Sequence, residues 1–224
     1  GRQGGLPSDF IELLKSARQL PHLRVDGVMA HFPLSDDRQS DNSAAVLQTF
    51  VAATRTLAEC GIGKCCLHLA NSGGLFYVAG ARLDMVRPGI ALYGYYPDGT
   101  AGRAVAGPPL LKPAMRFVTR IIQVRSLPAG SSLGYWHLFT TARPSRIAVL
   151  PVGYEDGYLR ALTNRAQVLI AGQRVPVVGR ISMNLTLVDI TDLDSEVRLG
   201  DEAVLLGRQG EEEISADELA DWMG

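Results

Sequence analysis

The sequence predicts an α/β half followed by an all-β half, and three observations carry that division. Helical and extended apolar patterns alternate from the start of the chain to about Gly94, as successive βαβ units do. Residues 97–109 are rich in Gly, Pro and Ala and lack a hydrophobic period, which marks a linker or long loop. Beyond them six short strand patterns follow one another, at the spacing of a compact β-barrel or β-sandwich. The first half holds only three or four strands, about half of a (β/α)8 barrel. The expected architecture is therefore the second half of a TIM-like barrel over residues 1–96, a linker over 97–112, and a C-terminal β domain over 113–224 that is incomplete at its end.

Each element has a local cause. Ser8 and Asp9 are placed to cap a helix through Phe10, Ile11, Leu13, Leu14 and Ala17, which must stop before Pro21. Residues 25–32 form a short apolar strand. Ala45, Val46, Phe50, Ala53, Leu57 and Ala58 recur at three- and four-residue spacing, giving a second helix that Gly61 ends. Residues 65–69 read as the next strand, 75–77 as a short helical turn, and 85–93 as a further strand with Val86, Ile90 and Leu92 buried. In the second half the strands are 117–125, 146–152, 167–170, 175–178, 185–190 and 203–206, separated by turns such as 128–130, 171–173 and 199–201. Glu211-Glu212-Glu213 reads as a solvated turn, and Ser215 with Glu218 forms the capping-box pattern of a last helix.

Composition removes whole function classes. With 46% apolar residues, 20% charged residues and a net charge of −1, the chain reads as a soluble globular protein. Lys and Arg are scattered without a basic run, so neither nucleic acid nor a membrane surface is expected as a partner. No apolar stretch reaches the roughly 20 residues that span a bilayer. The opening Gly1-Arg2-Gln3-Gly4-Gly5 has neither an initiator Met nor a secretory core, so the chain reads as cut from something longer. Cys60, Cys65 and Cys66 have neither a disulfide framework nor a metal-ligand spacing. No metal is expected, and a reducing compartment is.

The chemistry concentrates in residues 84–94. Arg87 stands there beside Gly89, where a barrel strand would break into its loop and bare N–H groups can face an anion. Ser72, in Asn71-Ser72-Gly73-Gly74 after the preceding strand, offers a second donor. Two such turns after successive strands make the usual phosphate site of a (β/α)8 barrel, so a phosphate-bearing cofactor is expected. Each residue also has a plain structural reading. Both turns could be ordinary Gly-containing turns, Arg87 could pair with Asp84, and His31 could be a packed strand-end side chain. Tyr135 could be a half-buried strand aromatic, and Met183 core.

Eight segments together resemble the consecutive motifs of the alanine racemase family. They are Arg2-Gln3-Gly4, Val28-Met29-Ala30-His31-Phe32, His68-Leu69-Ala70-Asn71-Ser72, residues 84–94, Leu133-Gly134-Tyr135, residues 151–157, residues 178–183, and Leu206-Gly207-Arg208-Gln209-Gly210. The resemblance covers nearly the whole chain. It implies a pyridoxal 5′-phosphate enzyme that interconverts L- and D-alanine in the cytoplasm for cell-wall D-alanine supply, with an active site shared across a homodimer.

The resemblance also assigns roles. Racemisation removes a proton from Cα and returns one to the opposite face, so two bases must flank the carbon; in the family these are a lysine and a tyrosine from the other subunit. Tyr135 matches the tyrosine. A phenol is a poor base at neutral pH unless cationic or hydrogen-bonding neighbours favour phenolate, and His31 and Arg87 match the residues that supply them. Arg87 also matches the arginine that hydrogen-bonds the cofactor ring nitrogen. A guanidinium holds its proton firmly, so the ring becomes a weaker electron sink than a carboxylate partner would make it. Asn71, Ser72, Gly89 and Ile90 match cofactor contacts, the last two through backbone N–H. Arg2 and the main-chain amide of Met183 match contacts to the substrate carboxylate, and Tyr154 a gate in the access passage, with Asp156 nearby.

Two departures qualify the match. Asn184 stands where many members carry an acidic residue, which keeps a broader racemase open, acting on serine or other small amino acids. None of Lys15, Lys64 and Lys112 lies in the cofactor-lysine context, so that residue is expected upstream and the isolated chain is expected to be inactive. A non-catalytic remnant of the family is the reading from a different class.

Overall fold

The computed structural model describes residues 4–99 and 109–224, and the chain divides into two compact units, Gly1–Ala114 and Met115–Gly224. In the first unit, α1 (Phe10–Gln19) turns Leu14 into the core and leaves Leu13 exposed. Its start lies where the sequence places it, but the side-chain cap is not made. Asp9 already has helical dihedrals, and its carboxylate takes the Ser8 hydroxyl at 2.9 Å instead. β1 (Gly27–Met29) pairs in parallel with β2 (Cys66–His68), with Gly27 opposite Cys66 and Met29 opposite His68. Between them runs α2 (Asn42–Thr54), which buries Phe50; turns then lead to Gly61, whose φ of 68° closes the segment. α3 (Ser72–Tyr77) follows β2 directly.

Val28, Phe32, Phe50, Leu57 and Leu69 meet Leu14 in one apolar cluster. This is the sequence-predicted α/β texture, and no closed barrel is formed among the described residues. The strand expected over residues 85–93 is corrected. Only Met85 bridges, in parallel, to His68, and Ile90–Tyr93 is a 3-10 helix with Ile90 47% and Leu92 70% exposed. The apolar run promised a strand with neighbours on both sides. Here one side alone is paired, and Gly89 and left-handed Gly94 break the extended path.

The second unit is antiparallel. The single strand expected over residues 117–125 is two: β3 (Phe117–Arg120) and β4 (Gln123–Leu127). The chain changes sheets between them. Ile121 donates its N–H to Asp201 O, whereas Ile122 donates to Val149 O. Ile121 is 1% exposed at this corner, a burial that stabilises by about 1.5–3 kcal/mol. β4 pairs with β7 (Ser145–Leu150), which also pairs with β10 (Thr186–Asp189). Before β7, a short hairpin of β5 (Ser132–Leu133) and β6 (Phe139–Thr140) appears that the sequence reading missed; two-residue strands carry no period.

The larger sheet runs β12 (Glu212–Ile214), β11 (Glu202–Gln209), β8 (Gln167–Ile170), β9 (Gln173–Pro176), with β3 also on β11. β9 lies two residues before its expected place, because a tight turn at Ala171-Gly172 puts Gln173 opposite Ile170. β8 and β11 are buried on both faces. Val168, Ile170, Ala203 and Leu205 face the main core, while Leu169 and Val204 face Leu219 and Trp222 of α4 (Ala216–Met223). The capping box of α4 is made as the sequence predicts, Ser215 Oγ accepting the Glu218 N–H at 3.1 Å. The acidic run is a solvated turn only at Glu211. Glu212 and Glu213 lie in β12, and Arg174 bonds Glu212 at 2.7 Å and Glu218 at 2.9 Å.

Candidate active site

In the first unit the site is assembled where β1, β2 and the Met85 bridge end. Asn71 is the extended N-cap of α3, and its Oδ1 accepts the Gly74 N–H at 2.9 Å and the Ser35 hydroxyl at 2.7 Å. Those two donors fix which end of the amide is oxygen. Nδ2 therefore faces His31 Nε2 at 3.4 Å and Phe32 O at 3.5 Å. Gly73 and Gly74 permit this closeness: a Cβ would stand 2.5 Å from Ser35 O at the first and 2.7 Å from the Phe32 ring at the second. The Asn-Ser-Gly-Gly sequence thus brings α3 against residues 32–35 and sets Asn71 beside His31.

Arg87 is held by backbone and imidazole. Its N–H donates to Ala70 O at 2.8 Å, which extends the parallel alignment from Met85. Nη2 donates to Ala30 O at 2.8 Å and Leu69 O at 3.4 Å and stands 3.5 Å from His31 Nδ1. Nη1 bonds His68 Nδ1. Asp84, the alternative partner, is used elsewhere: its carboxylate accepts the Leu67 N–H at 2.8 Å. Among the described residues no carboxylate lies within ion-pair distance of Arg87. Burial, together with the neighbouring guanidinium, lowers the His68 pKa below the usual imidazole range. A neutral His68 accepts at Nδ1 and keeps its proton on Nε2.

One turn away, the Gly89 N–H donates to Ser72 Oγ at 2.9 Å and the Ala91 N–H to the same oxygen at 3.2 Å. The Ile90 N–H lies between them in sequence. Ser72 is buried, and the side of Gly89 that would carry a Cβ meets open space. The group as a whole is rich in donors: a guanidinium, a hydroxyl, an amide NH2 and consecutive backbone N–H groups. Such a set suits a phosphate and a ring nitrogen acceptor.

The second unit gathers the other candidates. Tyr135 begins a 3-10 turn, Tyr135–His137, after Gly134, and is 68% exposed. Tyr154 opens the turn Tyr154–Asp156, with the Arg160 guanidinium 4.1 Å from its ring centroid. The Tyr154 N–H donates to Ser182 O and the Glu155 N–H to Met183 O, both at 3.1 Å, which fastens this turn to the segment carrying Met183. Met183 is half exposed rather than core, and Asn184 beside it is exposed. Asp156 accepts the Gly153 N–H at 2.9 Å, so its carboxylate holds the turn.

His31, Asn71, Ser72, Arg87, Gly89 and Ile90 thus come together in one unit, and Tyr135, Tyr154 and Met183 lie in the other. Arg2 is outside the described residues. His68, to which the sequence analysis assigns no role, is a partner of Arg87. No spacing within one strand reveals it, because the contact runs between neighbouring strands whose register the sequence does not display. Arg160, which reaches the Tyr154 ring from the 3-10 turn Arg160–Leu162, was also missed.

Comparison with known proteins shows the family. The family model for the alanine racemase N-terminal domain matches residues 1–97, and that for the C-terminal domain matches residues 114–224. The alanine racemase of Symbiobacterium thermophilum is 45% identical over 220 residues, 98% of this chain and 57% of that protein. That of Syntrophobacter fumaroxidans is 42% identical over 98% of this chain and 57% of its own length. Among solved structures, alanine racemase from Bacillus anthracis with bound L-Ala-P aligns with a TM-score of 0.88 and 34% identity, covering 100% of this chain and 57% of that one. Alanine racemase from Bartonella henselae with covalently bound pyridoxal phosphate gives 0.75 and 31%, covering 99% and 58%. The chain spans little more than half the length of these relatives, and within that span both units carry the family's sequence and fold. The chain belongs to the alanine racemase family.

Proposed function

We propose that this chain supplies the cofactor cradle and one proton-transfer base of a pyridoxal 5′-phosphate-dependent alanine racemase that works as a cytoplasmic homodimer. The observation that carries the reading is the carboxylate-free donor cluster of Arg87, Ser72 and the Gly89–Ala91 turn. Its chemistry fits the cofactor: a dianionic phosphate takes backbone N–H groups and a hydroxyl, and an unprotonated ring nitrogen takes an N–H from a cation. The pyridoxal phosphate of the Bartonella protein and the L-Ala-P of the Bacillus protein support the same assignment.

In this reading Ser72, Gly89 and Ile90 hold the phosphate, and Arg87 gives the ring nitrogen an N–H left over from its bonds to Ala30, Leu69 and His68. Asn71 and His31 line the ring. When bound, the cofactor supplies an electron-withdrawing ring that acidifies the substrate Cα–H. Tyr135, reaching a partner subunit's site, takes or returns that proton on one face; a lysine outside this chain serves the other. Arg2 and the Met183 amide bind the substrate carboxylate, and Tyr154 flanks the access passage. Among the described residues no helix is long and apolar enough to cross a bilayer.

The test is conversion of L-alanine to D-alanine by the full-length protein with pyridoxal phosphate, followed by chiral chromatography. Conversion is expected to fall about 10²- to 10⁴-fold in Tyr135→Phe, the usual loss of a proton-transfer group. A parent protein that leaves alanine unchanged defeats the proposal. Faster turnover of serine than of alanine supports the broader racemase that the exposed Asn184 keeps open.

A further inference from the structure

Tyr135 sits on an improbable piece of backbone. The two residues after it, Trp136 and His137, have φ of 65° and 50°, and both are L-residues in the left-handed region. Each such residue costs roughly 1 kcal/mol or more unless its surroundings hold it. The tyrosine itself is 68% exposed and so is little supported by packing. Something else must fix the turn.

Several contacts share that task, and one side chain makes two of them. Asn164, itself at φ 54°, follows the 3-10 turn Arg160–Leu162. Its Nδ2 donates to Leu138 O at 3.0 Å, at the end of the tyrosine turn, and its Oδ1 accepts the Gly179 N–H at 2.6 Å. Residues 178–183 lead from Gly179 to Met183. Asn164 therefore ties the Tyr135 turn to the segment that carries Met183. The two backbones already touch on the other side, where a Cβ on Gly134 would stand 2.9 Å from Arg180 N. The Arg180 guanidinium lies 5.8 Å from the Trp136 ring centroid. Thr163 Oγ1 accepts the Ile181 N–H at 3.3 Å, so residue 163 holds the Met183 segment independently.

We propose that Asn164 is a positioning residue for proton transfer: its amide NH2, through Leu138 O, fixes the Tyr135 phenol relative to the Met183 segment. This rests on the role given to Tyr135 above. Asn suits the position because it tolerates the left-handed backbone and offers a donor and an acceptor at once. The two halves of its amide do different work. The oxygen steadies the Met183 segment, and the nitrogen steadies the base.

Asn164→Asp separates them. The carboxylate keeps an acceptor for the Gly179 N–H but turns an oxygen toward Leu138 O, so only the tie to the tyrosine turn breaks. In the full-length holoenzyme kcat is expected to fall about 10- to 100-fold, the size of effect a misplacement near 1 Å produces, while KM stays within about twofold. The decisive readout is the primary isotope effect from α-deuterated alanine. It is expected to rise for the one enantiomer whose proton Tyr135 removes and to stay unchanged for the other. Asn164→Gly keeps the backbone conformation and loses both ties. It is expected to lower kcat, raise KM and show the same one-sided isotope effect, and it carries the test if the Asp variant does not fold. Parent-like kcat in both variants, or a fall with isotope effects that move equally for both enantiomers, overturns the proposal. Tyr135→Phe separates the two levels. If it is as active as the parent, the role of Tyr135 is wrong; if it is inactive while both Asn164 variants are normal, only the positioning role is wrong.

Discussion

Replacing His68 with Leu removes the acceptor that Arg87 Nη1 uses and leaves a cation's N–H facing an apolar side chain. A hydrogen bond to a charged group contributes about 1.5–3 kcal/mol when both partners are well buried. His68 and Arg87 are both only half-buried, which points to the lower end, about 1.5 kcal/mol. In the full-length protein, which is larger than 200 residues, that is a fall in melting temperature of at most about 3–6 °C. Nη2 keeps Ala30 O and Leu69 O, so the guanidinium stays in the neighbourhood but gains freedom that cofactor binding must remove. Affinity for pyridoxal phosphate is then expected to weaken about tenfold. The assay is a thermal melt together with an absorbance titration of cofactor into the full-length protein, on the parent, His68→Leu and His68→Gln. Gln restores a carbonyl acceptor and is expected to fall between the other two. Identical melting and affinity in all three would refute the view that His68 organises Arg87.

Three further outcomes are expected. Because the folded His68 pKa is lowered, the unfolded chain takes up this proton first, at about pH 6.5. Its contribution to stability is complete above that pH and is lost as pH falls toward the lower folded value; urea midpoints from pH 8 to 5 should show the decline, and His68→Gln should flatten it. Tyr158 is 1% exposed with a hydroxyl that has no partner among the described residues, and burial pushes its phenol far above the usual range, so Tyr158→Phe is expected to raise the unfolding free energy read from urea melts by about 1 kcal/mol. Gly74→Ala places a methyl 2.7 Å from the Phe32 ring and is expected to cost about 1–3 kcal/mol and to part Asn71 from His31, seen as weaker cofactor binding in the same titration.

Local rules made much of this molecule legible before its structure. The capping box at Ser215, the stop before Pro21 and the order of helices and strands in both units follow from residue chemistry within a few positions. Three of the errors share one cause, which is dependence on non-local partners. Residues 117–125 read as one strand because nothing within them says that Ile121 and Ile122 bond to different sheets. Ile90 and Leu92 read as buried because an apolar run does not show whether a neighbouring strand will cover it. Glu212 reads as solvated with its acidic neighbours until Arg174 arrives from β9. In the site, Arg87, Ser72 and Gly89 were visible as donors in a suggestive order, and the structure brings them together with His31 and Asn71. His68 and Asn164 act through backbone and side-chain contacts that cross between elements, and they required coordinates.

The most direct measurement is the 15N chemical shift of the ring nitrogen of labelled pyridoxal 5′-phosphate bound to the full-length protein. A ring nitrogen that accepts an N–H from Arg87 is expected to show the shift of an unprotonated, hydrogen-bonded pyridine, and to change in Arg87→Glu. A protonated ring nitrogen in the parent, unaffected by that substitution, would contradict the placement of Arg87 at the centre of this site.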